Sequence, residues 1–110
     1  GASAHFDALK AGGEQLLNTS QPRGCVKSKG GNSGTIRLMA QLWRLTSNVT
    51  YLRRLQVEMD AACRCANWGG PSFLLTSAYS IAVGLGLDWA WDALSPANQT
   101  RYQDCLIELG

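Results

Sequence analysis

Few residue types here could do chemistry, and most are scattered. The single histidine, His5, stands near the N-terminus and reads as a solvated surface residue, not a base or a ligand. Asp88 and Asp92 lie one helical turn apart around Trp89 and Trp91. Acid–base work by two carboxylates needs environments that split their pKa values. This pair lacks an isolated apolar setting and reads as helix-end polarity. Gly30-Gly31-Asn32-Ser33-Gly34-Thr35 has the outline of a phosphate loop before a helix but lacks the Gly-Lys-Ser/Thr core. Backbone N–H groups at such a junction can hold an anion, yet the plainer expectation is a flexible connector.

The cysteines are Cys25, Cys63, Cys65 and Cys105. Cys63-Arg64-Cys65 is not the spacing of a zinc knuckle, and no histidine lies close by, so no metal or cofactor is expected. Residues two apart on a helix point about 200° away from each other, so Cys63 and Cys65 cannot bridge one another without melting it. Pairing with Cys25 or Cys105 remains open, and so do free buried thiols, because Cys63 and Cys105 fall on apolar faces. Asn18-Thr19-Ser20, Asn48-Val49-Thr50 and Asn98-Gln99-Thr100 match the N-glycosylation acceptor pattern at Asn18, Asn48 and Asn98. Two of these stand at predicted helix starts, where Asn also serves as a cap. With the even cysteine count they lean towards a secreted, periplasmic or secretory-lumen protein.

The elements that would position these residues are all helical. Residues 3–17 form a short amphipathic helix with Phe6, Leu9, Leu16 and Leu17 apolar. Residues 20–34, rich in Gly and Ser and carrying Arg23, Lys27 and Lys29, read as a flexible basic loop. Residues 35–45 place Arg37, Gln41 and Arg44 opposite an apolar face of Ile36, Met39 and Trp43. Thr46-Ser47-Asn48 breaks that helix and caps the next, about 49–66, with Leu52, Leu55, Met59, Cys63 and Ala66 on one stripe. The short link makes the two antiparallel neighbours. A tight turn, Asn67 to Pro71, leads to a helix over 72–87 that is apolar nearly all round and therefore buried on most sides. Ser95-Pro96 starts the last helix, with Tyr102, Cys105, Leu106 and Leu109 inward. Residues 35–110 thus form packed helical hairpins. No β alternation persists. The apolar run Phe73 to Leu87, interrupted by Thr76, Ser77 and Ser80, falls short of the roughly 20 residues of a membrane span.

Composition adds to this. Only 16% of the chain is charged, against about 25% in ordinary domains. A segment of a larger helical array, with faces that expect neighbours, would show this, and the lack of an initiator Met fits such a segment. No secretory signal precedes Lys10. Residues 1–64 hold nine Lys/Arg and four Asp/Glu, a net +5, whereas 65–110 hold Arg101 against Asp88, Asp92, Asp104 and Glu108, a net −3. A basic half attracts anions at long range, but without a dense basic run and interleaved aromatics nucleic acid is not the expected partner.

The segment Leu42 to Leu109 resembles the N-terminal helical domain of the heparinase II/III-like polysaccharide lyases, a group that includes alginate and heparin lyases and resembles the dermatan-sulfate epimerases. Leu42 through Leu52 (LWRLTSNVTYL) is similar to the family's leucine-rich helix, polar turn and Tyr-Leu restart. Trp68 through Leu74 resembles its tryptophan-and-proline turn. Asp88-Trp89-Ala90-Trp91-Asp92-Ala93-Leu94-Ser95-Pro96 resembles its Asp-Trp-x-Tyr-Asp-x-Leu-Ser-Pro signature, with Trp91 in the tyrosine position. The resemblance implies a partial (α/α) toroid domain over 1–110, completed by more C-terminal helices. It also implies β-elimination on an acidic, uronic-acid polysaccharide, or uronyl epimerisation. An Asn or His would neutralise the substrate carboxylate, and a Tyr or His pair would move the protons. Those residues lie beyond the Asp-Trp block in the family, so none is carried over. Ser72-Phe73-Leu74-Leu75 departs from the acidic, histidine-bearing family turn. Trp68, Ser72 and Tyr79 are the positions the resemblance offers for lining a substrate cleft, with packing as their ordinary role. The alternative expectation is a non-catalytic helical interaction module.

Overall fold

The computed structural model describes residues 2–18, 31–65, 68 and 73–109. Five α-helices follow in order: α1 (Ala2–Leu17), α2 (Ser33–Thr46), α3 (Val49–Cys63), α4 (Phe73–Ala90) and α5 (Pro96–Leu109). A 3₁₀ turn, Trp91–Ala93, joins the last two, and no strand occurs among the described residues. The described residues are all-α, as the periodicity predicts.

The helix boundaries have local causes. The α2 helix begins at Ser33, two residues before the sequence expectation, because the Asn32 carbonyl already accepts the Ile36 N–H at 3.0 Å. It ends where Ser47 turns left-handed (φ 56°) and donates its N–H to Trp43 O at 2.8 Å. A non-glycine residue there is strained by about 1–2 kcal/mol. The turn reverses the chain within two residues, and Asn48 then caps α3 by accepting the Thr50 N–H at 2.9 Å. The α3 helix stops at Cys63 rather than Ala66. Its Ala62 carbonyl is taken by the Cys65 N–H at 3.2 Å and by the Trp68 indole Nε1 at 2.9 Å, so the ladder has nowhere to continue. The α4 helix runs three residues past Leu87 because the apolar period does too, with Leu87 and Ala90 both buried.

The α4 helix lies chiefly against α2 and is flanked by α3 and α5, while α1 covers part of α2. The core formed there includes Ile36, Met39 and Leu42 of α2, Leu55 and Met59 of α3, and Tyr79, Ala82 and Val83 of α4. Close helix approach is bought by glycine. A Cβ on Gly86 would stand 2.9 Å from Met59 Sδ and 3.3 Å from Leu55 Cδ1. The radius of gyration, 13.4 Å, matches the ~13 Å expected of a packed body of this length. The apolar α4 is not enclosed on every side, however. Ile81 is 55% exposed, because only three helices surround α4 among the described residues.

Cys63 and Cys105 form a disulfide with Cα atoms 5.6 Å apart, tying the end of α3 to the middle of α5. This settles the open pairing of both cysteines and removes the free-thiol reading. Cys65 is also disulfide-bonded, and Cys25 lies outside the described residues. The Cys63–Cys105 bond spans a sequence separation of 42, so constraining the unfolded chain stabilises the fold by about 4 kcal/mol on the loop-entropy account. The double variant Cys63→Ala/Cys105→Ala is expected to lose most of that in urea unfolding. A midpoint unchanged from the parent would show that packing alone fixes α5.

Candidate functional site

Two polar clusters stand out, one buried and one open. The buried cluster begins at Glu58, which is 1% exposed on the inner side of α3. Its carboxylate accepts Arg54 Nε at 2.8 Å and Asn32 Nδ2 at 3.1 Å. Asn32 Nδ2 also reaches the Glu58 carbonyl at 2.9 Å. The Asn32 N–H donates to Tyr79 Oη at 2.8 Å, and that hydroxyl donates back to Asn32 Oδ1, also at 2.8 Å. Trp68 stacks on the Tyr79 ring, with centroids 5.6 Å apart and an interplanar angle of 18°. Thr76 Oγ1 donates to Trp68 O at 3.2 Å. Burial pushes the Tyr79 hydroxyl above its ordinary pKa, the Asn32 N–H opposes this, and the Glu58 charge adds to it. The phenol therefore stays protonated and acts as a fixed hydrogen-bonding group.

The open cluster is a groove of about 530 Å³ between α3 and α5, walled by the Cys63–Cys105 bridge and by Asp60, Arg64, Arg101, Asp104 and Glu108. Asp60 Oδ1 accepts Arg101 Nη2 at 2.6 Å and Tyr102 Oη at 2.7 Å. Arg101 also donates to Asn98 Oδ1 at 2.8 Å, and its guanidinium lies 5.1 Å from the Tyr102 ring centre. Burial raises the Tyr102 pKa strongly, the Asp60 carboxylate raises it further by hydrogen bond and charge, and Arg101 opposes. Asp60 is thus hydrogen-bonded to both Arg101 and Tyr102. The groove presents polar and charged groups to whatever enters it. No cluster of three or more potential metal ligands occurs among the described residues.

The structure places the residues singled out by sequence as follows. Trp68 and Tyr79 are each 1% exposed and touch one another in the buried cluster, whereas Ser72 lies outside the described residues. Asn18 and Asn48 are exposed. Asn98 is half-buried and donates Nδ2 to Gln56 Oε1 at 3.1 Å. His5, Asp88 and Asp92 are exposed and apart from both clusters. Asn32, at the Gly-rich junction, is committed to Tyr79 and Glu58, and the nearby carboxylate opposes an anion at that point. Sequence reasoning missed Arg54, Glu58, Asp60 and Arg101, and took Asn32 only as part of the Gly-rich junction. The one available signal was the i,i+4 spacing of Arg54 and Glu58 beside the apolar stripe. Every buried side-chain polar atom among the described residues has a partner. Comparison with known proteins finds no matching family model and no matching curated protein.

Tyr79→Phe leaves the buried Asn32 N–H without its acceptor, and denaturant unfolding is expected to register a loss of about 1–3 kcal/mol; a neutral result would mean water replaces the hydroxyl. The alkaline limb follows from the tyrosines. Their folded pKa values lie above the unfolded value near 10, so the stabilising contribution is full below pH ~10 and is lost as pH rises through the folded pKa. Tyr102→Phe should flatten the fall in stability above pH ~10, and an unaltered slope would assign that fall to other groups.

Proposed function

We propose that this chain forms part of the helical wall of a polysaccharide lyase acting by β-elimination on a uronic-acid polysaccharide, or of a related uronyl epimerase, and that it acts as scaffold without supplying catalytic groups. The observation that carries the reading is the local build of the Asp88–Pro96 block. There α4 ends at Ala90, Trp91–Ala93 makes a 3₁₀ turn, and Ser95 Oγ caps α5 by accepting the Asn98 N–H at 3.2 Å. Arg44 stacks over Trp89 at 4.7 Å, and Gln99 Nε2 donates to Trp91 O at 2.8 Å, so the block is clamped from both α2 and α5. Such a clamp suits a repeated corner between hairpins of an (α/α) toroid. Satisfied polar groups in the buried cluster support a structural part for Trp68 and Tyr79 within that wall.

The basic half of the chain supports an acidic polysaccharide as the partner, through long-range attraction. The Cys63–Cys105 disulfide supports a secreted, periplasmic or secretory-lumen location. No described helix is long and apolar enough to cross a membrane.

The test is release of unsaturated uronate, followed by its ultraviolet absorbance, from alginate, heparan sulfate and chondroitin. It is run on this chain and on the full-length gene product, with proton exchange at C5 as the epimerase readout. Activity in the full-length product alone is the expected result. Silence of that product in both assays would sink the proposal.

A further inference from the structure

Two faces of the chain are open, partly apolar and opposite in charge. On α3, Val49, Arg53 and Val57 follow at i, i+4 and i+8 and share one stripe. Val49 is 50% and Val57 46% exposed, and Arg53 between them is exposed and makes no ion pair among the described residues. The second face lies between α4 and α5. A groove of about 410 Å³ is lined there by Gly84, Leu87, Asp88, Trp91 and Gln103. One turn from Gly84 stands Ile81, and one turn beyond Gln103 stands Ile107, 80% exposed. Because α4 and α5 run antiparallel, both isoleucines extend the same end of the groove. Asp88 is exposed at its centre and, like Arg53, makes no ion pair among the described residues.

We propose that these faces recognise each other between two copies of this chain. The Val49–Arg53–Val57 stripe of one copy seats on the Ile81–Ile107 groove of the next, with Arg53 meeting Asp88. Exposed isoleucine and valine supply apolar area, and the two unpaired charges set orientation and register. A stripe of this size makes a small interface of the transient class. Association is therefore weak, with Kd of about 10–100 µM, and salt-sensitive. The inference goes beyond the lyase reading and requires both faces to stay open in the full-length gene product, so association is measured on that product beside this chain. The mass measurement and the uronate assay read different properties and fail separately.

The test is sedimentation equilibrium of the 110-residue chain, beside the full-length gene product, from about 10 µM to about 1 mM at low ionic strength. Weight-average mass is expected to rise above the monomer with concentration and to fall back on adding salt. Arg53→Glu and Asp88→Lys are both surface changes, and circular dichroism checks that each variant keeps its fold. Each alone should weaken association at least about tenfold by setting like charges together. An equimolar mixture of the two restores opposite charges across the contact and should recover wild-type association within about threefold. A wild-type chain or full-length product that stays monomeric throughout overturns the proposal. So does association that Arg53→Glu leaves unchanged, or a mixture that recovers nothing.

Discussion

Glu58 is held inside the protein at 1% exposure, where an unpartnered carboxylate would cost several kcal/mol. Its oxygens must therefore find donors, and the donors found are Arg54 one turn earlier and Asn32 at the start of α2. Asn32 can serve only if the turn before α2 is brought onto α3, and the Tyr79 hydroxyl holds that turn from the side of α4. Trp68 completes the arrangement by stacking on Tyr79 and donating its indole N–H to the Ala62 carbonyl near the end of α3. Apolar contacts tolerate sliding, whereas hydrogen bonds between fixed partners do not. These bonds tie α2, α3 and α4 to one another around one buried carboxylate.

A second polar device does similar work at the surface. Asp60 meets Arg101 and Tyr102 across a sequence gap of 41 and 42 residues, beside the Cys63–Cys105 bridge. The exposed ion pair contributes little by itself. Its location matters more, since the covalent bond and the buried phenol already fix the distance between α3 and α5. The groove above them is thus a rigid, polar surface feature whose charged groups are largely committed to one another.

The helices were legible in the sequence because their apolar spacing is regular. Ile36, Met39 and Leu42 on α2 and Leu52, Leu55 and Met59 on α3 all fall inward as the 3.6-residue period requires. The Ser47-Asn48 reversal was legible too, from its capping residues. What was hidden is the polar wiring. Beyond the i,i+4 spacing from Arg54, nothing local marks Glu58 as buried rather than solvated, since its neighbours on the chain, Val57 and Met59, differ, one exposed and one buried. Asn32 sits in a glycine-rich stretch whose composition spells connector, and its partners are 26 and 47 residues away. Trp68 and Tyr79 could be picked out as notable aromatics, but nothing in their spacing specifies that they stack on each other. Open faces were the subtler miss. An all-apolar α4 pattern implies enclosure, and only the number of helices packed around it reveals that Ile81 faces water.

The bridge between α3 and α5 also bears on how the protein is made. Cys63 emerges from the ribosome well before Cys105, and Cys65 follows Cys63 almost at once. In an oxidising compartment, a nascent chain ending short of α5 presents Cys63 with no proper partner and with thiols it must not join. Correct pairing then waits for the arrival of α5. Formation of this bond is thereby timed by the arrival of α5, and a premature bond at Cys63 has to be undone by thiol–disulfide exchange before the native one can form.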